Sequence, residues 1–461
     1  MKNKFLILLI TAATFLSCDN KIDLAPEDQL TLPVSFSNKT LALGVLTGVY
    51  SAAQQDDVLN GTWQLAGDWQ ADNVNFVGSF PTFNDVKNYT TLSDNNSITG
   101  LWDDCYETIG TANLVIKFTP SVEDPDFTDE EKANAVAQAK FMRALVYFKL
   151  SNWYSQPVQV GNGTTLAVPL VTEPFEGEVK FPSRATLNEV QAQIEQDLLD
   201  ALPNLNDTDN SKATKGACLA FLSRLYLYQD KFAEAADFAN QAIQNSAYAL
   251  ASDYTFYNTQ SNEFYFTLVN TAADGQDTGQ GFSGLSNPTP VGRGDAPFSE
   301  NLLAAFAEEA GDLRFSTLTQ IGTDAIDNTS TFTSKFPDGI NASDNAPVFR
   351  VTEMYLTRAE ANLRAGSSVG DTPLNDINAL RSRAGLPNAA AVTLEQILKE
   401  RRKELCFEGH RRMDLLRNNM NLRRPGMANE AASAPGQDKV IFPIPVNQLD
   451  LNENLVQNPG Y

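Results

Sequence analysis

Side chains able to do covalent or acid–base chemistry are few in this chain. His410, in the segment FEGHRRMD, is the only histidine, so neither a histidine-based triad nor a multi-histidine metal site can be assembled. No G-x-S-x-G and no Walker A pattern occurs. The 57 Asp and Glu residues leave a carboxylate pair for hydrolysis formally open, but among so many acids finding two is uninformative. Cys105, Cys218 and Cys406 are widely spaced and match no zinc pattern or disulfide framework. Cys218 sits in an apolar helical pattern and Cys406 lies between Leu405 and Phe407, which points to buried free thiols. In ERRKELCFEGHRRMD acids and bases recur three or four apart, the pattern of a solvated or networked helix face, and His410 fits a hydrogen-bonded structural role within it.

The N-terminus carries a different chemistry. Lys2 and Lys4 precede an apolar run from Phe5 to Leu16, too short for a spanning helix, which needs ~20 residues; it has the form of an export signal. Leu16-Ser17-Cys18 places a small residue directly before a cysteine and resembles the lipobox of bacterial lipoproteins. Cleavage there would leave Cys18 N-terminal, with acyl chains on its sulfur and amine, and at ~0.8 kcal/mol per buried methylene several chains anchor a protein without any spanning helix. The predicted organisation is a signal peptide at 1–17, a lipidated tether at 18–35 and one domain from 36 to 461. Against 34 Lys and Arg, the acids set a formal net charge of −23, a surface that repels nucleic acid and anionic headgroups. With 42% hydrophobic residues the chain can bury a large core.

Long helical patterns must supply that core. AVAQAKFMRALVYFKLSNWY at 135–154 is one, and TLNEVQAQIEQDLLDALPNL is a second that opens on a capping box, Thr186 with Glu189, and stops at Pro203. In LSRLYLYQDKFAEAADFANQA, Leu222, Ser223, Tyr226, Phe232, Ala235, Ala239 and Ala242 occupy the large and small positions of a tetratricopeptide helix pair. A looser pair follows in EMYLTRAEANLRAG and PLNDINALRSRAG, with Gly366 and Gly385 as stops, and LEQILKERRKELCFEGHRRMDLLRN adds a helix broken near Gly409. The fold class is therefore all-α, an irregular tetratricopeptide-like scaffold. Residues 54–101 and 253–295 lack sustained helical periodicity and read as loop-rich insertions suited to binding.

These stretches line up with one family. IDLAPEDQLT, LWDDCYETIGTANLVI, AKFMRALVYFKLSNWYSQPV, PSRATLNEVQAQIEQDLLDAL, FRVTEMYLTRAEANL, INALRSRAGLP, ERRKELCFEGHRRMDLLR and FPIPVNQLDLNENLVQNPGY occur in this order, and the chain resembles the SusD/RagB family of outer-membrane nutrient-binding lipoproteins. The resemblance implies a tetratricopeptide-like scaffold seated on a SusC-like TonB-dependent transporter, capturing oligosaccharide, or peptide in some members, without catalysing a reaction; no cofactor and no metal ligand is assigned from the sequence. Arg381, Glu400, Arg401, Glu404, Gly409, Arg411 and Asp414 are then scaffold.

A sugar offers apolar C–H faces between hydroxyl edges, so its site needs an aromatic plane ringed by Asn, Asp, Gln or Arg. Trp102 and Trp153 belong to helices and are assigned to the core. Trp63 and Trp69 stand in NGTWQLAGDWQADNVNF among polar residues, and the prediction is that Trp69 stacks on the ligand with Asp68, Asp72 and Asn73 beside it and Trp63 as a second ring. A later glycine-rich stretch, TAADGQDTGQGFSGLSNPTPVGRGD, adds Phe282 and Arg293. Acids outnumber bases in both segments, which favours a neutral glycan over an acidic or sulfated one. The competing readings are a peptide-binding relative and a carboxylate-based glycoside hydrolase.

Overall fold

The computed structural model describes residues 31–461; the signal peptide, Cys18 and most of the tether lie outside the described residues. We number the helices of eight residues or more. They are α1 (Lys39–Ala53), α2 (Thr62–Gln70), α3 (Pro81–Asn88), α4 (Asn96–Phe118), α5 (Asp129–Tyr154), α6 (Leu187–Ala201), α7 (Lys215–Tyr228), α8 (Phe232–Ile243), α9 (Glu300–Ala307), α10 (Val351–Ala365), α11 (Pro373–Arg383) and α12 (Leu394–Leu405).

Capping chemistry sets several boundaries. Thr128 with Glu131, Thr186 with Glu189 and Thr393 with Gln396 close full capping boxes at the starts of α5, α6 and α12, each satisfying two backbone donors that the first turn leaves free. Gly366 ends α10 in the left-handed conformation, at φ 64°, where a side chain would be strained. Helix α7 is buried along nearly its whole length, as expected of a helix apolar on all sides.

The helices pack in sequence: α4 against α1 and α5, α5 against α6, α7 against α8, α8 against α10, and α10 against α11 and α12. Small residues let neighbours approach, as where Ser223 Oγ of α7 donates to the Ala235 carbonyl of α8 at 2.8 Å. This is the all-α, tetratricopeptide-like scaffold. Three two-stranded antiparallel pairs decorate it: β1 (Leu166–Pro169) with β2 (Arg184–Thr186), β3 (Phe264–Leu268) with β6 (Ala346–Arg350), and β4 (Thr319–Thr323) with β5 (Thr329–Thr333). The C-terminal segment folds back onto the end of α5. Phe442 stacks on Trp153 with ring centroids 4.6 Å apart, and Asn458 Nδ2 donates to the Tyr154 carbonyl. Among the described residues no helix is long and apolar enough to cross a membrane.

The expectation of a loop-rich insertion needs correcting for residues 54–101, which contain α2, α3 and the start of α4, whereas 253–295 is irregular apart from β3 and a helical turn, Phe282–Ser286. In α2 the periodicity was masked because the polar Asp68 and Gln70 are as buried as Trp63, Leu65 and Ala66, so the helix has no wet face for a pattern to display.

Candidate functional site

Six of the seven side chains predicted to meet a ligand are in the core. Trp69 is 0% exposed, with Phe76 at 4.6 Å and Phe83 at 5.4 Å between ring centroids, which leaves no ring face open to a sugar. Trp63 packs on Phe442 and Trp153 and donates its Nε1 proton to Asp57 Oδ1 at 2.9 Å. Phe282 stacks on Phe336 at 4.3 Å. The physical reason is that α2 is covered by the Phe282–Ser286 turn and by the short helix Arg411–Leu416. Gly61 makes the first contact possible: at φ 134°, a Cβ there would sit 2.2 Å from the Phe282 nitrogen.

The polar neighbours are buried as well. Asp72 accepts from Arg411 Nε at 2.6 Å and NH2 at 2.8 Å, and Asn73 Oδ1 accepts from Arg402 Nε at 2.7 Å. Burial pushes the Asp72 carboxyl up, but Arg411, Arg402 and Arg424 outweigh it and hold it below the ordinary carboxylate range. Asp68 accepts the Asn73 amide on Oδ1, its Oδ2 has no partner, and burial, opposed by Asn73 and the Phe407 backbone N–H, pushes its pKa up to about 7.

Arg293 alone of the seven reaches solvent, with its side chain 32% exposed. Its guanidinium carbon lies 4.2 Å from the centroid of the half-buried Phe80 ring, a cation–π contact. Nε donates to Asp295 Oδ2 at 2.8 Å. Three backbone bonds set this turn: Gly292 N to the Pro288 carbonyl, Arg293 N to Gly284, and Gly294 N to Asn287, each 2.8 Å. Val77 N bonds the Asp295 carbonyl and Ala325 N the Gly294 carbonyl, so three segments meet around Arg293. They bring exposed Asn75, Ser79, Val291 and Ile326 to its surroundings. Burial pushes the Asp295 carboxyl up while Arg293 opposes that shift. Phe80 and Ile326 were missed from sequence. The one available signal for Phe80 was its place before Pro81, the N-cap of α3, where a ring stands outside the helix.

The acid–base motif is networked and buried. Glu400 accepts from Arg314 and Arg381, Arg401 pairs with Asp414, and Glu404 faces Arg383, Arg350 and Arg314. Gly409, at φ 83°, breaks the chain between α12 and the next helical turn. His410 is buried beside Arg401, and burial together with Arg224, Arg401, Arg350 and Lys335 holds its pKa well below the usual range, so the ring is neutral. Cys105, Cys218 and Cys406 are free and buried, and Trp102 and Trp153 are core.

Comparison with known proteins gives this architecture a relation. A family model described as the SusD family matches residues 326–461, and one described as starch-binding, associating with outer membrane, matches residues 15–227. SusD-like protein P2 of Formosa agariphila is 27% identical over 100% of this chain and 99% of its own length. The starch-binding protein SusD of Bacteroides thetaiotaomicron is 39% identical over 25% of this chain and 21% of its own. A SusD superfamily crystal structure from the same organism superposes with a TM-score of 0.84 at 26% identity, covering 93% of this chain and 100% of the other. A laminarin-binding SusD-like protein gives 0.76 at 27%, covering 92% and 100%. With matches of this kind at both ends and the fold shared across nearly its whole length, the chain belongs to the SusD/RagB family.

Proposed function

We propose that this protein is a cell-surface lipoprotein that binds a neutral oligo- or polysaccharide without cleaving it and passes it to a SusC-like TonB-dependent transporter. The observation that carries the binding site is the Arg293–Phe80 pair: a cation over a ring, tied to Asp295, at the junction of three surface segments. With Nε committed to Asp295, the outer face and terminal amino groups of the guanidinium are available to a sugar's C–H face and hydroxyls. Asn75 and Ser79 add polar edges and Ile326 an apolar one. Because Asp295 balances the charge of Arg293, the surface favours a neutral ligand.

The test is calorimetry on the soluble domain with neutral glucans, starch- and laminarin-type oligosaccharides among them. Arg293→Ala is expected to weaken binding about ten- to a hundredfold, on the order of 1–3 kcal/mol by analogy with other stacked ligands. An unchanged affinity removes the site, and binding of acidic glycans alone overturns the ligand class. Attachment through Cys18 is tested separately: Cys18→Ala is expected to leave the membrane fraction, and firm retention of that variant overturns the lipid anchor.

A further inference from the structure

A small cavity of about 110 Å³ lies where α2, α5, α7 and β6 meet the segment from Glu408 to Met413. Leu145, Phe148 and Val348 give it apolar walls, and Gln64, Lys149, Asn152 and Arg224 line it with hydrogen-bond donors. Gln64, Lys149 and Asn152 keep some exposure, so the cavity is reachable from solvent. Lys149 Nζ carries three protons and, among the described residues, has one acceptor, Gln64 Oε1 at 3.2 Å. Asn152, one turn further along α5, engages only its carbonyl, which accepts from Arg412. Arg224 spends Nε and NH2 on Glu353 and the Val348 carbonyl, and its NH1 donates to no described residue.

The charges around it do not cancel. Glu353 matches Arg224 at 2.5 Å, and Glu408, the acid that lines the cavity, is matched by Lys335 at 2.6 Å and by Arg350, which Glu263 and Glu404 also share. Arg412 rests on the neutral acceptors Gln70, Asn152 and Val440 and forms no salt bridge among the described residues. Lys149 forms none either. The acid that acts on it is Asp57, from beyond salt-bridge distance, and Asp57, raised to about 6, is ionised at neutral pH. Cys105 beside it is an uncharged thiol, pushed up by burial, and His410 is neutral. Lys149 and Arg412 thus face the one carboxylate of Asp57, which leaves a surplus positive charge in a chain whose net charge is −23. Burial pushes Lys149 down to about 8, the cost of an ammonium with too few acceptors, and an entering anion would relieve it. An apolar cavity of roughly 150 Å³ takes up one benzene molecule, so this smaller one has no room for a sugar ring or a long chain.

We infer that this cavity is a second binding site, separate from the glycan surface and not resting on that reading, for a short-chain aliphatic carboxylate of the size of propionate, with its charged end on Lys149, Asn152 and Arg224 NH1 and its tail against Leu145, Phe148 and Val348. The experiment is calorimetry of the folded domain at pH 7 with propionate, propionamide, inorganic phosphate and octanoate. Propionate is expected to bind saturably and at least tenfold more tightly than propionamide, which lacks the charge, phosphate, which lacks the tail, and octanoate, which exceeds the cavity. Lys149→Met keeps the bulk without the charge, and Asn152→Asp supplies Lys149 with a carboxylate three residues along the helix. Each is expected to weaken propionate binding at least tenfold and to leave glycan affinity unchanged. Raising the pH from 7 to 9.5 is expected to weaken propionate binding to the parent about tenfold. Lys149 is the first lining group to lose its charge on that path: Arg412 follows at about 10 and Tyr228 ionises only at about 12, while Glu408 stays ionised and His410 neutral. The inference is overturned if propionate does not bind saturably, if propionamide, phosphate or octanoate binds as tightly, if folded Lys149→Met or Asn152→Asp retains the ligand, or if the affinity is flat from pH 7 to 9.5.

Discussion

Residues 61–73 and residues 287–295 both carry glycine, asparagine and aspartate, with two indoles in the first and a cation in the second, yet the first is core almost throughout and the second brings residues 289–293 to the surface between buried Asn287 and Asp295. The difference lies in where their polar groups find partners. In the first segment the partners are some 330 to 350 residues away: Asp72 and Asn73 meet Arg411 and Arg402, Gln70 Oε1 accepts from Arg412 at 2.7 Å, and the Trp69 carbonyl accepts from Arg423 at 2.9 Å. In the second, the turn satisfies much of its own backbone, and Arg293 remains outside. Polar residues around an indole therefore do not mark a wet site in a chain that also has buried arginines to neutralise. They are the acceptors that make burial of those cations tolerable.

The largest effect that would break this contrast is on stability. Trp69→Ala removes an indole closed in by Phe76 and Phe83 and is expected to cost about 3–5 kcal/mol of folding free energy, visible as a large fall in Tm, while the folded fraction keeps its glycan affinity. A variant of parental stability that had lost the ligand would return Trp69 to the binding surface. Arg293→Ala is the converse. Beside the loss of affinity it is expected to cost about 1–3 kcal/mol, because the buried Asp295 carboxyl loses its guanidinium donor, and a destabilisation as large as that of Trp69→Ala would place Arg293 with the core segment.

Local signals were legible in the sequence and distant ones were not. Thr186 with Glu189, Gly366 and the break at Gly409 are decided by chemistry within one turn, and each is found where the sequence places it. The tetratricopeptide-like pair of α7 and α8 was legible because helix approach selects small residues at fixed spacing, Ser223 and Ala235 among them. Burial of α2 was not. It depends on Arg411 and Arg412 arriving from the far end of the chain and on Phe282 closing over Gly61. Phe80 carried one local signal, its place before Pro81, but nothing in the sequence placed Arg293 over its ring.

The smallest effect sharpens the comparison inside the core segment itself. Asp72 is surrounded by arginines and ionised, whereas Asp68, one helical turn away, is buried with one amide donor and an orphaned Oδ2. Burial pushes the Asp68 carboxyl up to about 7, with Asn73, the Phe407 backbone N–H and the more distant Lys335 and Arg411 only partly opposing it. A carboxyl raised from the unfolded value of about 3.9 favours folding in its protonated form. Its contribution is complete below about pH 4 and is lost as the pH rises towards 7. Asn at position 68 keeps an acceptor for Asn73 and cannot ionise. The melting temperature of Asp68→Asn relative to the parent is therefore expected to improve steadily from pH 4.5 to about 7 and to level off above it, whatever constant offset the amide introduces. Asp56, at about 7, and Asp57 and Asp344, at about 6, titrate in the same direction. They are unchanged in the variant and cancel in the difference, and Glu309 and Glu404, at about 2, act only at lower pH. Parallel melting curves across that range would mean that Asp68 is ionised in the folded protein like Asp72, and that both carboxylates belong to one arginine-bound cluster.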